Sequence, residues 1–296
     1  MTSSPHAVGL GADSSAVLIA RTQRYARVLS IAGSDSGGGA GIQADLKTFA
    51  ALGCYGMTAL TALTAQNTLG VRAIHAVPLE MLDAQIDAVV EDIGVDAVKI
   101  GMLHSAATVQ AVAAAIDRHR LACVVLDPVM VATSGATLID REAIETLVTH
   151  LFPRAALVTP NLDEAVLLVG RPLTNEADLE AAGYELIARG ARAVLLKGGH
   201  LAGDTVSDLL LAPDVPPLWL RGPRIPSANT HGTGCTLSSA IAAYLARGAS
   251  LQDAVRAGRD FVRGALEAGA AVRTGAGSGP LNHGWQPQPM QRVALS

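Results

Sequence analysis

Short, almost wholly apolar runs alternate with longer stretches of helical periodicity along most of this chain. Arg27–Ala32, Ala97–Gly101, Cys123–Asp127, Ala156–Thr159 and Ala193–Leu196 are the apolar runs. A strand that is apolar on both faces must be covered on both faces. That is the situation of a parallel sheet between helices, not of a half-solvated antiparallel one. Parallel neighbours also need long crossovers, which a helix supplies with right-handed chirality. The pattern therefore predicts an α/β fold with a mostly parallel sheet and helices on both faces.

Local signals place the helices. Gly41–Leu52 is closed by Gly53. Beyond Pro78, residues Leu79, Leu82, Ile86, Val89, Val90 and Ile93 recur on one helical face. Ser105 is placed to cap a helix reaching about His119, and Asp140 to cap the next. A short helix follows Pro160-Asn161 and runs to Val169, and Thr174 caps one that ends at Gly190. The last two are expected from Thr236 to Arg247 and after Ser250, which forms a capping-box pattern with Asp253. Tyr55–Leu63 reads as one strand, and Leu201–Pro226 as a polar segment holding two antiparallel strands. Residues 1–25 read as a flexible N-terminal extension, 26–284 as one domain and 285–296 as a tail.

Composition excludes several functions. The 296 residues are 50% hydrophobic and 16% charged with net charge −4, which fits a globular chain and gives no electrostatic case for nucleic acid. Aromatic residues, at 3%, are too few for a base-stacking platform. No apolar run is long enough for a membrane span, and the first residues lack the basic start of a signal peptide, so a cytoplasmic location is expected. The three cysteines are far apart and fit neither a disulfide framework nor a zinc site.

In such sheets ligands bind at the carboxyl ends of the strands. The unusual residues fall there: Gly33, Gly101-Met102, Asp127, Asn161, Lys197 and Gly232–Cys235. Residues 229–235 read Asn-Thr-His-Gly-Thr-Gly-Cys and lead into a helix. Glycines let the backbone approach a ligand, and a helix start offers free N–H groups with partial positive charge. The result is an anion hole suited to phosphoryl transfer, with Cys235 at its mouth. The same pattern also suits a structural turn beside a buried cysteine. At a helix start the thiolate is favoured and the pKa falls, which would make Cys235 a general base.

Gly39-Ala-Gly-Ile-Gln-Ala44 formally matches a dinucleotide fingerprint, but Leu46 to Leu79 contains no acidic residue to hold a ribose. No Walker A pattern is present. The loop instead suits backbone packing against a flat small molecule. Asp45 is either a first-turn acid or a carboxylate aimed at the ligand, and Gln66 can donate to and accept from a heteroaromatic ring. Asp127 and Glu164 are candidates for Mg²⁺, although helix-start charge equally explains Glu164. Lys197 ends a strand and can reach a nucleotide phosphate.

Taken together these stretches resemble the hydroxymethylpyrimidine/phosphomethylpyrimidine kinases of thiamine biosynthesis, within the ribokinase-like superfamily. The words that carry the resemblance include Ile31-Ala-Gly-Ser-Asp35, Gly38–Thr48, Ala65-Gln-Asn67, Lys99-Ile-Gly-Met-Leu103, Leu126-Asp-Pro-Val-Met130, Thr159-Pro-Asn161 with Glu164, Lys197-Gly-Gly-His200, Asn229–Thr236 and Gly279-Pro280. The resemblance implies a three-layer α/β/α fold, ATP and Mg²⁺ as cofactors, and a homodimer. It implies Gly33, Asp45 and Gln66 as polar contacts to an aminopyrimidine, with Met102 and Val129 as apolar walls. It further implies Cys235 as catalytic base, Gly232, Thr233 and Gly234 as the anion hole, Asp127 and Glu164 at the metal, and Asn161, Lys197 and Thr230 at the ATP phosphates. Two other functions are compatible with the residues: a pyridoxal kinase of the same fold, and a non-catalytic pyrimidine-binding module.

Overall fold

The computed structural model describes residues 22–130, 141–200, 203–213 and 215–295. In chain order the first half runs β1 (Gln23–Tyr25), β2 (Arg27–Ala32), α1 (Gly41–Ala51), β3 (Tyr55–Leu60), β4 (Ala62–Asn67), β5 (Gly70–Ala76), α2 (Leu79–Asp92), β6 (Ala97–Ile100), α3 (Ala106–His119) and β7 (Val124–Leu126). The second half runs α4 (Arg141–Leu151), β8 (Leu157–Val158), α5 (Leu162–Val169), α6 (Glu176–Ala188), β9 (Val194–Leu196), β10 (Thr205–Leu211), β11 (Leu218–Pro223), α7 (Thr233–Ala246), α8 (Leu251–Gly269) and β12 (Arg292–Ala294).

Eight strands form the central sheet in the order β11-β10-β9-β8-β7-β6-β2-β3. The six from β3 to β9 are parallel, and β10 and β11 add an antiparallel edge. Alternation along each strand divides the core between two faces. Leu29, Ile31, Val98 and Ile100 pack with α2 to α6, whereas Val28, Ala97 and Val125 pack with α1, α7 and α8. The layers are helix, sheet, helix, as the double apolarity of the strands requires.

Three local expectations differ from the structure. The strand expected over 55–63 breaks at Thr61, whose hydroxyl donates to the Met102 carbonyl at 2.7 Å. The chain then leaves the sheet as the antiparallel hairpin β4–β5. The cap of α6 is Asn175, not Thr174, because the Asn175 side chain accepts the Asp178 N–H. Helix α7 begins at Thr233, three residues earlier than the periodicity gives, so the Thr-Gly-Cys of the motif is its first turn. Asp140 lies outside the described residues. Ser105 does cap α3, accepting from the Thr108 N–H. Residues 23–25 pair with 292–294 as a two-stranded antiparallel ribbon.

Candidate active site

A cavity of about 380 Å³ opens at the carboxyl ends of the parallel strands. It is bordered by the loop after β2, the β4–β5 hairpin, the ends of β6 and β7, the start of α5, Lys197 and the first turn of α7. The early glycine loop and the late cysteine turn thus share one cavity.

The contact between those two segments is close. Gly232 sits at φ +83, and a Cβ built there would lie 1.9 Å from the Gly39 carbonyl oxygen. Only glycine permits this approach. His231 Nε2 lies 2.9 Å from Asp35 Oδ2, and Asp35 also accepts the N–H groups of Gly37, Gly39 and Ala40. One carboxylate therefore folds its own loop and ties it to the cysteine turn. Burial would raise its pKa, but the His231 and backbone bonds outweigh that and hold it below the ordinary value. Ser36 adds a second tie, because its hydroxyl donates to the Gln66 carbonyl and accepts the Gln66 N–H, both at 2.8 Å.

One end of the cavity has apolar walls and one amide. Gly33, Gln66, Met102 and Val129 border it. Met102 is buried against Gly33, and the Thr64 hydroxyl donates to Gln66 Oε1 at 3.2 Å. The other end is charged. Lys197 Nζ donates to Asp127 Oδ1 at 2.8 Å and stands 3.9 Å from Glu164 Oε2. Asn161 and Glu164 form a reciprocal capping box at the start of α5, so helix capping and cavity lining fall on the same residues. A Cβ at Gly234 would lie 3.2 Å from Lys197 Nζ, and Thr230 and Thr233 also line the cavity.

Burial pushes the Glu164 carboxyl up to about 7, with Asp127 adding to the rise and Lys197 opposing it. Burial also acts to raise Asp127, but Lys197 and Lys99 prevail and hold it low. The pair is thus one carboxylate matched by lysine and a second short of positive charge. Among the described residues no group of three or more His, Cys, Asp or Glu is placed to hold a metal. Two carboxylates nevertheless fit Mg²⁺, which takes one or two from the protein and the rest from phosphate and water.

Two expectations change at this site. Asp45 does not border the cavity. It is fully buried, taking the Lys99 ammonium on both oxygens at 2.9 Å and the hydroxyls of Ser30 at 2.6 Å and Ser239 at 2.7 Å. Its acceptor capacity is spent inside the protein. The Cys235 thiol is raised to about 11, not lowered. Desolvation dominates, and the opposing pull of Lys99 and of the Gly41 N–H is offset by the nearby Asp45 and Asp127. The remaining residues expected from the sequence all border the cavity. Asp35, Lys99 and His231 border it too, within motifs whose roles sequence alone did not separate. Their partners lie 196 residues away for Asp35 and 54 for Lys99, so no local pattern exposes them.

This layering, with a glycine turn on a helix start facing two carboxylates and a lysine, defines a small-molecule kinase of the ribokinase-like class. Residues 35–282 match the family model described as phosphomethylpyrimidine kinase. The chain belongs to that family. It is 51% identical over 258 residues to the hydroxymethylpyrimidine/phosphomethylpyrimidine kinase of Streptomyces coelicolor, covering 87% of this chain and 94% of that one. It is 52% identical over 277 residues to the thiamine biosynthesis bifunctional protein ThiED of Geobacter sulfurreducens, covering 93% of this chain but only 56% of that longer protein. The ADP complex of Bacillus subtilis pyridoxal kinase is similar in structure, with TM-score 0.81 and 36% identity over 88% of this chain and 98% of that one.

Proposed function

We propose that this kinase transfers a phosphoryl group from ATP to the hydroxymethyl group of 4-amino-5-hydroxymethyl-2-methylpyrimidine, and a second to the resulting monophosphate. The diphosphate so formed would serve thiamine diphosphate biosynthesis. The observation that carries the proposal is the single cavity lined both by Gly33, Gln66, Met102 and Val129 and by Asp127, Glu164 and Lys197, in a chain half identical to hydroxymethylpyrimidine/phosphomethylpyrimidine kinases.

In this reading the ring lies between Met102 and Val129, with Gly33 against its edge and the Gln66 amide on its polar edge. The substrate hydroxyl points to Cys235, which takes its proton as general base. A thiol raised to about 11 is seldom ionised in the empty site, and only the thiolate can accept the proton, so this step draws on the minor ionised fraction of Cys235. The backbone N–H groups of the first turn of α7, where that of Thr233 also meets the Thr230 carbonyl at 3.3 Å, stabilise charge as it grows on the transferring group. Lys197, Asn161 and Thr230 position the ATP phosphates. Asp127 and Glu164 would hold Mg²⁺, which supplies charge neutralisation on the phosphate oxygens. The resemblance also supports a homodimer and a cytoplasmic location; among the described residues no helix is long and apolar enough to cross a membrane.

Mass detection of products after incubation with the pyrimidine alcohol and Mg-ATP tests the proposal. Mono- and diphosphorylated pyrimidine are the expected species. A second reading, pyridoxal kinase, is favoured by the closeness of the Bacillus subtilis pyridoxal kinase fold. A higher kcat/KM for pyridoxal than for the pyrimidine alcohol would move the assignment there.

A further inference from the structure

The side-chain amide of Gln66 stands at the cavity between two groups that decide which way round it lies. Its main chain is already fixed, because the Ser36 hydroxyl bonds both the Gln66 carbonyl and the Gln66 N–H at 2.8 Å. The amide itself reaches the Thr64 hydroxyl at 3.2 Å and His231 Nε2 at 3.4 Å. A half-turn about its last bond exchanges oxygen and nitrogen, so the protons of the neighbours choose between two orientations.

Those protons can be counted. Asp35 Oδ2 accepts the N–H groups of Gly39 at 3.0 Å and Ala40 at 2.8 Å. At 2.9 Å from His231 Nε2 it is again the acceptor, which puts a hydrogen on Nε2. An amide nitrogen facing Nε2 would then set one N–H against another. The Thr64 hydroxyl has a single proton, and the Ser34 carbonyl at 2.8 Å is its nearer acceptor. With the amide oxygen toward Thr64, that one proton must serve two acceptors. With the amide turned, every donor meets an acceptor: His231 donates to Asp35 and the Gln66 oxygen, Gln66 to Thr64, and Thr64 to Ser34.

We propose that the Asp35–His231 pair determines specificity: it holds the Gln66 amide with its oxygen toward the turn before α7 and its nitrogen toward the β4–β5 hairpin, and so sets which way round the ring binds. His231 is a positioning residue that acts through Gln66. The inference deepens the aminopyrimidine reading and rests on it. In 4-amino-5-hydroxymethyl-2-methylpyrimidine the amino group and a ring nitrogen lie side by side, a donor next to an acceptor. An amide oxygen and nitrogen match that edge. The amino group then falls on the His231 side. The hydroxymethyl group is carried on the next ring carbon beyond it, and is therefore directed past His231 toward the first turn of α7, which holds Cys235. The opposite amide orientation would direct the hydroxyl toward the hairpin.

Nuclear Overhauser contacts in the ligand-free protein test the orientation directly. Isotope-labelled glutamine marks the side-chain amides, and Gln66→Met identifies the Gln66 signal by its loss. Stronger contacts from the Gln66 amide protons to Thr64 than to the His231 ring are expected. Stronger contacts to His231, or equal ones, overturn the inference whatever the substrate proves to be. The second arm compares kcat/KM for the pyrimidine alcohol with that for its analogue lacking the amino group. His231→Phe removes the N–H and leaves Asp35 its three backbone bonds. It is expected to lower the ratio of the two kcat/KM values about tenfold. In the Gln66→Met background, where no amide remains to be oriented, the same substitution should change the ratio by less than about twofold. An unchanged ratio in folded His231→Phe, or an equal fall in both backgrounds, also overturns the inference. Failure of the wild-type protein to phosphorylate the pyrimidine alcohol would instead remove the functional reading on which the inference rests.

Discussion

Replacing Gly232 by alanine tests the seam between the glycine loop and the cysteine turn. Real Cβ atoms essentially never come within 3.0 Å of a non-bonded atom, and here the Cβ would lie 1.9 Å from the Gly39 oxygen. The two backbones must therefore part by about 1 Å (3.0 − 1.9). Neither side yields readily. Gly39 is held by its N–H bond to Asp35 at 3.0 Å, and the Gly232 carbonyl accepts the Thr236 N–H at 2.8 Å. Alanine at φ +83 adds a left-handed strain of about 1–2 kcal/mol. A shift of this size between the base and the bound ring costs about a hundredfold in rate, since near-attack geometry tolerates little error. Steady-state ADP release gives kcat, and thermal unfolding checks that the fold survives. The expected result is a folded protein with kcat reduced about a hundredfold or more. Turnover within threefold of wild type would refute the claim that these two segments must touch for the chemistry to work.

Further outcomes follow from the same geometry. Cys235→Ala is expected to lower kcat by about a hundredfold or more with little change in pyrimidine affinity, read by steady-state kinetics and calorimetric titration. Asp45→Ala leaves Lys99, Ser30 and Ser239 without their acceptor and is expected to cost about 3–5 kcal/mol in denaturant unfolding. A loss under about 1 kcal/mol would mean the pair carries no strain when broken. Glu164 makes stability depend on pH in a defined direction. Its carboxyl titrates near 4.5 unfolded and about 7 folded, so the folded state holds the extra proton between those values. Stability is therefore lost as pH rises from about 4.5 to 7 and is flat above, by roughly 3 kcal/mol relative to Glu164→Gln. Parallel curves for the two proteins would contradict the assigned cause. Mg-ATP is expected to reduce the difference, by supplying the positive charge that the empty site lacks.

Much of the frame was legible because the physics that sets it is local. The bounds of β2 and α3 follow from an apolar run, a cap and a change of period, and they coincide with the structure. The hairpin β4–β5 was not legible as a pair. Its outward residues are exposed, including Leu63 and Ile74, so no buried alternation marks it. The site divided along the same line. Cys235, Lys197 and Asn161 stand at element ends, where sequence already places ligand-facing groups. Asp45 looked like such a group because it lies in the first turns of a helix. What removed it was Lys99 on a strand more than fifty residues later, a partner that no spacing rule supplies. The direction of the Cys235 ionisation was misread for a related reason: helix position is written in sequence, whereas desolvation depends on everything packed around it.

The ribbon joining residues 23–25 to residues 292–294 brings the two ends of the fold side by side. Gln291 bonds to Ala26 and Gly53 at the start of β2 and β3, the opposite end of the strands from the cavity. A short peptide linking Gln23 to Ala294 would close the chain into a circle without crossing the cavity mouth. The enzyme is thus built to accept rearranged ends. A permuted version reopened in an exposed connection, such as the one between β10 and β11, should keep its kinase chemistry.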